Sequence, residues 1–129
     1  MTEKVLPREV TSVLVEEDEG SVTVTWGLGE TAASEFKYFG YAVYCYGPDG
    51  NGGKRFGVRF REKTTAYGWD HASSTQANYA ADSVTATSES IVVHYRDADL
   101  GPKEIGTIAA FSHVDGNDQQ VDLTVSLLR

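Results

Sequence analysis

The chain predicts an all-β fold: an antiparallel sandwich of about seven strands with one long irregular loop. Three observations carry that expectation. Apolar residues recur at every second position in several short runs, turn residues separate those runs, and no segment reads as a long helix. Composition agrees, since 13 Gly and 7 Tyr stand against a single Met in 129 residues, a balance that favours strands and tight turns.

The length suits one domain with one core, residues 1–129, with residues 1–8 as a loose arm closed by Pro7. Val10 to Glu16 is β-branched in character and reads as the first strand. Glu16, Glu17, Asp18 and Glu19 crowd a turn that ends at Gly20. From Ser21 to Trp26 the alternation is clean: Val22, Val24 and Trp26 point one way, Thr23 and Thr25 the other. Gly27, Gly29 and Thr31 are expected to break that strand.

The most informative stretch is Tyr38 to Arg61, two alternating runs joined by a turn of Pro, Asp, Asn and Gly. Pairing them so that apolar residues meet sets Cys45 opposite Phe56, Val43 opposite Val58 and Tyr41 opposite Phe60. The other face then carries Tyr38, Tyr44 and Tyr46 beside Arg55, Arg59 and Arg61. Residues 62–89 lose the pattern in small polar residues, and read as the long loop, with Tyr67, Trp69 and Tyr79 as anchors and a short helical turn near Ser74 to Ala81. Alternation returns at Ile91, Val93 and Tyr95, at Ile108 and Ala110, and along Val121, Leu123, Val125 and Leu127. Asp115-Gly116-Asn117-Asp118 supplies the last hairpin turn. The expected core is Val22, Val24, Trp26, Tyr41, Val43, Cys45, Phe56, Val58, Phe60, Ile91, Val93, Ile108, Ala110, Val121, Leu123 and Val125.

Val22-Thr23-Val24-Thr25-Trp26 resembles the second strand of a fibronectin type III module, and Gly40-Tyr41-Ala42-Val43-Tyr44 its third. Leu100-Gly101-Pro102, followed by Gly106, Ile108, Ala110 and Ser112, resembles the approach to the sixth strand. About half the chain thus resembles the fibronectin type III and immunoglobulin-like group. The resemblance implies an immunoglobulin-like sandwich and, more weakly, adhesion or spacer roles. Gly106 stands where the group carries a corner tyrosine, and the group's RGD-type tripeptide is absent.

A formal net charge of −8 opposes general nucleic-acid binding, which needs cations to displace counterions from phosphate. Nothing approaches the ~20 apolar residues of a membrane span, and no export leader is visible. Cys45 is the single cysteine, so no intramolecular disulfide forms. These features suggest synthesis in a reducing cytoplasm, with a virion or cell surface as an alternative destination.

Against this acidic background Lys54 to Lys63 holds five cations and one acid, a local charge of +4. Arg beside Tyr stacks by cation–π contact and offers its fork to a carboxylate, and both residue types are enriched in interface hot spots. Tyr44, Tyr46, Arg55, Arg59 and Arg61 are therefore the candidate partner-binding residues, for an acidic protein surface, the acidic turn of a second copy, or a glycan. The alternative ligand-binding set is Tyr67, Trp69, Asp70 and His71, which could line a sugar or small-molecule pocket; such aromatics more often pin a loop to the sandwich.

Asp97 and Asp99, with Asp115, Asn117 and Asp118, lack the spacing of a calcium loop, and the three histidines fit no zinc spacing. No cofactor motif occurs. A Cys45–His94 or Cys45–His113 dyad is conceivable, but Cys45 lies on the apolar face, where a thiol packs and stays inert. The expected function is a non-catalytic protein-interaction or structural module, for instance part of a phage particle or a surface assembly. A carbohydrate- or small-ligand-binding sandwich is the alternative.

Overall fold

The computed structural model describes residues 8–31, 39–48, 53–60, 63–87, 89–100, 105–114, 117–121 and 123–128. They begin with β1 (Arg8–Asp18), β2 (Ser21–Thr31), β3 (Phe39–Tyr46) and β4 (Gly53–Phe60). Next come β5 (Thr64–Asp70), β6 (Thr75–Tyr79), a 3-10 turn at Ala81–Ser83, β7 (Val84–Ala86) and β8 (Ser90–Arg96). The chain closes with β9 (Thr107–Val114), β10 (Asn117–Val121) and β11 (Val125–Leu128). One sheet has the order β11-β1-β2-β8-β7, the other β10-β9-β3-β4-β5-β6. The ladders are antiparallel except β1 with β11, which is parallel.

The all-β sandwich expected from alternation is the fold observed, but the described residues form eleven strands rather than about seven, because several are short or carry little apolar alternation, and one pair is parallel. Its core joins Val13, Val15, Val22, Val24, Trp26, Ile91, Val93 and Tyr95 of the five-stranded sheet to residues of the six-stranded sheet. These include Phe39, Tyr41, Val43, Cys45, Phe56, Val58, Phe60, Ala66 and Ala110, and Leu100 is buried among them. Each fully buried Val or Phe contributes about 1.5–3 kcal/mol relative to exposure, so this cluster is what the alternating pattern secures. Ile108, Val121, Leu123 and Val125 pack against it half-buried.

Several local expectations are corrected. The pairing of β3 with β4 is displaced by two residues: Val43 faces Phe56, Tyr41 faces Val58, and Phe39 faces Phe60. The Phe39 and Phe60 rings stack at 4.9 Å, a contact that a strand starting later than Phe39 would lose. Gly53 meets Tyr46 at the other end with φ +123°, where glycine avoids the strain that a side chain would meet. A two-residue slip keeps every side chain on its face, so the division into core and outer faces stands.

The described residues of 62–89 are not a long irregular loop. They hold β5, β6 and β7, and the helical turn expected near Ser74 to Ala81 is instead β6 followed by the 3-10 turn. The usual signal is inverted in β5, where small Ala66 and Gly68 face the core and Tyr67 and Trp69 face out. A Cβ added at Gly68 would sit in ordinary contact with the Phe56 ring, at 3.4 Å. In β6 only Tyr79 touches the interior, so alternation gives no clue.

β2 does not stop at Trp26 but runs on to Thr31, with register shifts against β1 between Arg8 and Ser12. A Cβ at Gly27 would run into the Ser12 side chain, so the glycines there permit close strand approach rather than ending the strand. The expected final strand is two strands in different sheets, β10 and β11, and Asn117 and Asp118 belong to β10 rather than to the turn. β1 starts at Arg8. Residues 1–7, Tyr38, Arg61, Gly101-Pro102 and Asp115-Gly116 lie outside the described residues.

Candidate functional site

Strand alternation places Tyr44 and Tyr46 of β3, Arg55 and Arg59 of β4, and Tyr67 and Trp69 of β5 on the outer face of the six-stranded sheet. The partner-binding set and most of the alternative ligand set are therefore one surface. His71, just beyond β5, is tied by its N–H to the Gly53 carbonyl at 3.1 Å and turns its ring over the same face.

Tyr44 is the hub. Its ring stacks on Tyr46 at 5.6 Å and 8°, lies 6.1 Å from His71 and meets Phe111 edge-on at 4.9 Å. Arg55 pairs directly across the strands from Tyr44. Its guanidinium lies 4.7 Å from the Tyr44 ring centroid, and Nη1 donates to the Tyr44 hydroxyl. Trp69 donates from Nε1 to His71 Nδ1 at 3.1 Å and meets that ring edge-on.

Tyr67 lies flat in this face and is only 5% exposed. Beneath it is Gly57, where any Cβ would run into its ring. Above it lie both guanidinium groups, Arg59 at 4.5 Å and Arg55 at 5.6 Å. Gly57 is thus the floor on which one aromatic ring rests with two cations over it, and its cross-strand partner Ala42 is also small and buried. Arg59 is exposed and presents its charge outward. Burial raises the Tyr46 phenol above its ordinary range, while the charge of Arg55 opposes the shift.

Asp70 does not join this surface. It pairs with Lys54 on the opposite side of the strands, and its Oδ1 accepts the Ala72 N–H at 3.0 Å. Lys54 also leaves the cationic patch, forming a 2.8 Å ion pair with Asp99. Arg61 lies outside the described residues. The sequence reading missed Phe111; outward parity beside the inward Ile108 and Ala110 would have found it.

The imagined cysteine dyads do not assemble. Cys45 is fully buried in the core. His94 is on the outer face of the five-stranded sheet, 3.1 Å from the Thr23 hydroxyl, and His113 projects with Phe111 from the outer side of β9. His94 does line a shallow groove of about 230 Å³ with Asp82, Ser83, Thr85, Val92 and Arg96. The Ser83 hydroxyl there donates to the Ala80 carbonyl at 2.7 Å.

Among the described residues no three His, Cys, Asp or Glu side chains gather as metal ligands, and no helix is long and apolar enough to cross a membrane. Comparison with protein-family models, with curated proteins and with solved structures finds no match for this chain.

Proposed function

We propose that this chain is a non-catalytic interaction module whose contact surface is the outer face of the six-stranded sheet, and that its partner is an acidic protein surface. The observation that carries the reading is the Arg55–Tyr67–Arg59 arrangement: two cations held over one buried ring on a protein of net charge −8. Packing on aromatic rings limits the freedom of both guanidinium groups, so less side-chain entropy is lost when a carboxylate binds. The surrounding Tyr44, Tyr46, Trp69 and Phe111 supply the rigid aromatic area that anchors interfaces.

The glycan alternative draws on fewer groups. A sugar stacks on an open ring face, yet Tyr44 is covered by Tyr46 and Arg55, and Tyr67 by the two arginines and Gly57. Trp69 and His71 remain for it.

We also read the sandwich as immunoglobulin-like. The neighbours β1-β2-β8-β7 and β10-β9-β3 repeat the two sheets of that group, and β4, β5 and β6 widen the second. Such a scaffold suits a structural or surface-assembly role, but the site rather than the fold argues the function.

The test is an NMR titration of the labelled chain with pools of acidic peptides and, separately, of oligosaccharides. Acidic peptides should shift the amides around Tyr44, Arg55, Arg59 and Trp69. Arg59→Glu should remove the effect with little change in melting temperature, since Arg59 is exposed. Shifts confined to another face, or to Trp69 with oligosaccharides alone, would overturn the reading.

A further inference from the structure

We propose that β6 is the pairing edge of a two-fold dimer, in which two copies of this chain join their six-stranded sheets into one continuous sheet. β6 ends its sheet, and Thr75, Gln76, Ala77 and Asn78 are all exposed, on both faces of the strand. Its ladder with β5 runs through five pairs without a shift, so no bulge turns the edge away. Such an edge carries a row of main-chain donors and acceptors that templates another strand unless charges, prolines or bulges guard it. None does here: from His71 to Ala81 the sequence has no Lys, Arg, Asp, Glu or Pro.

Charge selects this edge for a second copy. Two chains of −8 repel, and they approach best where charge is absent. The other described edges suit pairing less. β10 carries Asp118 in its sequence, β7 has three residues between Asp82 and Glu89, and β11 has four.

The register follows from the strand itself. Full overlap of two antiparallel copies of Thr75–Tyr79 sets Ala77 opposite its own copy, Gln76 opposite Asn78, and Thr75 opposite Tyr79. Every pair joins residues of the same parity, so core-facing side chains meet core-facing ones and main-chain groups pointing outward meet others that do. On the outer face two Gln–Asn amide pairs lie across the axis. There Gln76 and Asn78 neighbour Trp69 and Tyr67, so the dimer sets two copies of the aromatic face side by side. The pairing does not depend on what that face binds.

Ala77 gives the test, because only in this dimer does it face itself. Sedimentation of the intact chain should show a dimer that persists in high salt, since main-chain hydrogen bonds are not screened as ion pairs are. Ala77→Lys and Ala77→Glu should each weaken it roughly tenfold or more, by setting like charges opposite each other. An equal mixture of the two variants should restore it. Circular dichroism checks that the exposed substitutions keep the fold. As a second measurement, hydrogen exchange at β6 in the unmodified chain should slow as its concentration rises. A monomeric wild type, a dimer indifferent to both variants, or variants that fail to re-associate on mixing would overturn the proposal. Loss of acidic-peptide binding by Arg59→Glu would leave it untouched.

Discussion

The Tyr95 hydroxyl crosses the core of the sandwich and donates to the Gly57 carbonyl oxygen at 2.9 Å. Tyr95 is fully buried on β8, and the ring of Tyr67 covers Gly57 from the far side. One residue of β4 therefore lies between a core hydroxyl and a ring of the candidate binding face. Tyr95→Phe removes the donor and leaves a buried carbonyl without this bond, which costs about 1–3 kcal/mol. Urea unfolding should show that loss in the midpoint, while acidic-peptide binding by the folded variant should be unchanged.

The same burial makes stability fall at high pH. Desolvation holds the Tyr95 phenol well above its ordinary 10.0, with Tyr67 and Tyr79 pushing the same way. In the unfolded chain that phenol ionises near its ordinary value, so above about pH 10 the unfolded state holds fewer protons than the native one. Stability then declines as pH rises, by the linkage between proton binding and folding. Below that range Tyr95 is neutral in both states and adds no slope. Urea midpoints measured upward from pH 9 should drop, and Tyr95→Phe should flatten the drop. Some slope should survive, because burial also raises Tyr46 and Tyr79.

Cys45 should behave as a core residue throughout. It is fully buried on the inner side of β3, where reagents have no access. A thiol reagent should label it only as fast as the protein opens, with full labelling in denaturant. Rapid labelling of native protein would contradict its placement.

How far the fold was legible depended on where each strand hides its large residues. β2, β3, β4 and β8 bury Val, Ile, Phe and Trp at every second position, and reading alternation located them. β5 reverses the pattern, with small Ala66 and Gly68 toward the core and Tyr67 and Trp69 outward, so a strand looked like a loop with aromatic anchors. The break between β10 and β11 was hidden for another reason. Val121, Leu123, Val125 and Leu127 all pack against the core, yet the chain changes sheets among them, turning where the Leu123 N–H donates to the Val121 carbonyl. The candidate site was legible residue by residue but not as a unit. Joining Tyr44 and Arg55 to Trp69 required knowing that β5 pairs with β4, and in that pairing the β5 members opposite Val58 and Phe56 are Ala66 and Gly68, which have little side-chain bulk to announce a strand.

Gly57→Ala should test the link between floor and face. The added methyl would meet the Tyr67 ring, and the ring has little freedom to move because Arg55 and Arg59 lie against it. Either Tyr67 lifts and carries both guanidinium groups with it, or β4 shifts against β5. Overpacking of this kind costs about 1–3 kcal/mol, so the unfolding midpoint should fall. If the two arginines act as a pair set by the ring, acidic-peptide binding should weaken as well, in protein still folded by circular dichroism. Tyr67→Ala in the Gly57→Ala background separates the two effects. It should relieve the clash without restoring binding, because the support for the arginines has gone with the ring. Recovery of binding in the double variant would show that Arg55 and Arg59 need no ring beneath them.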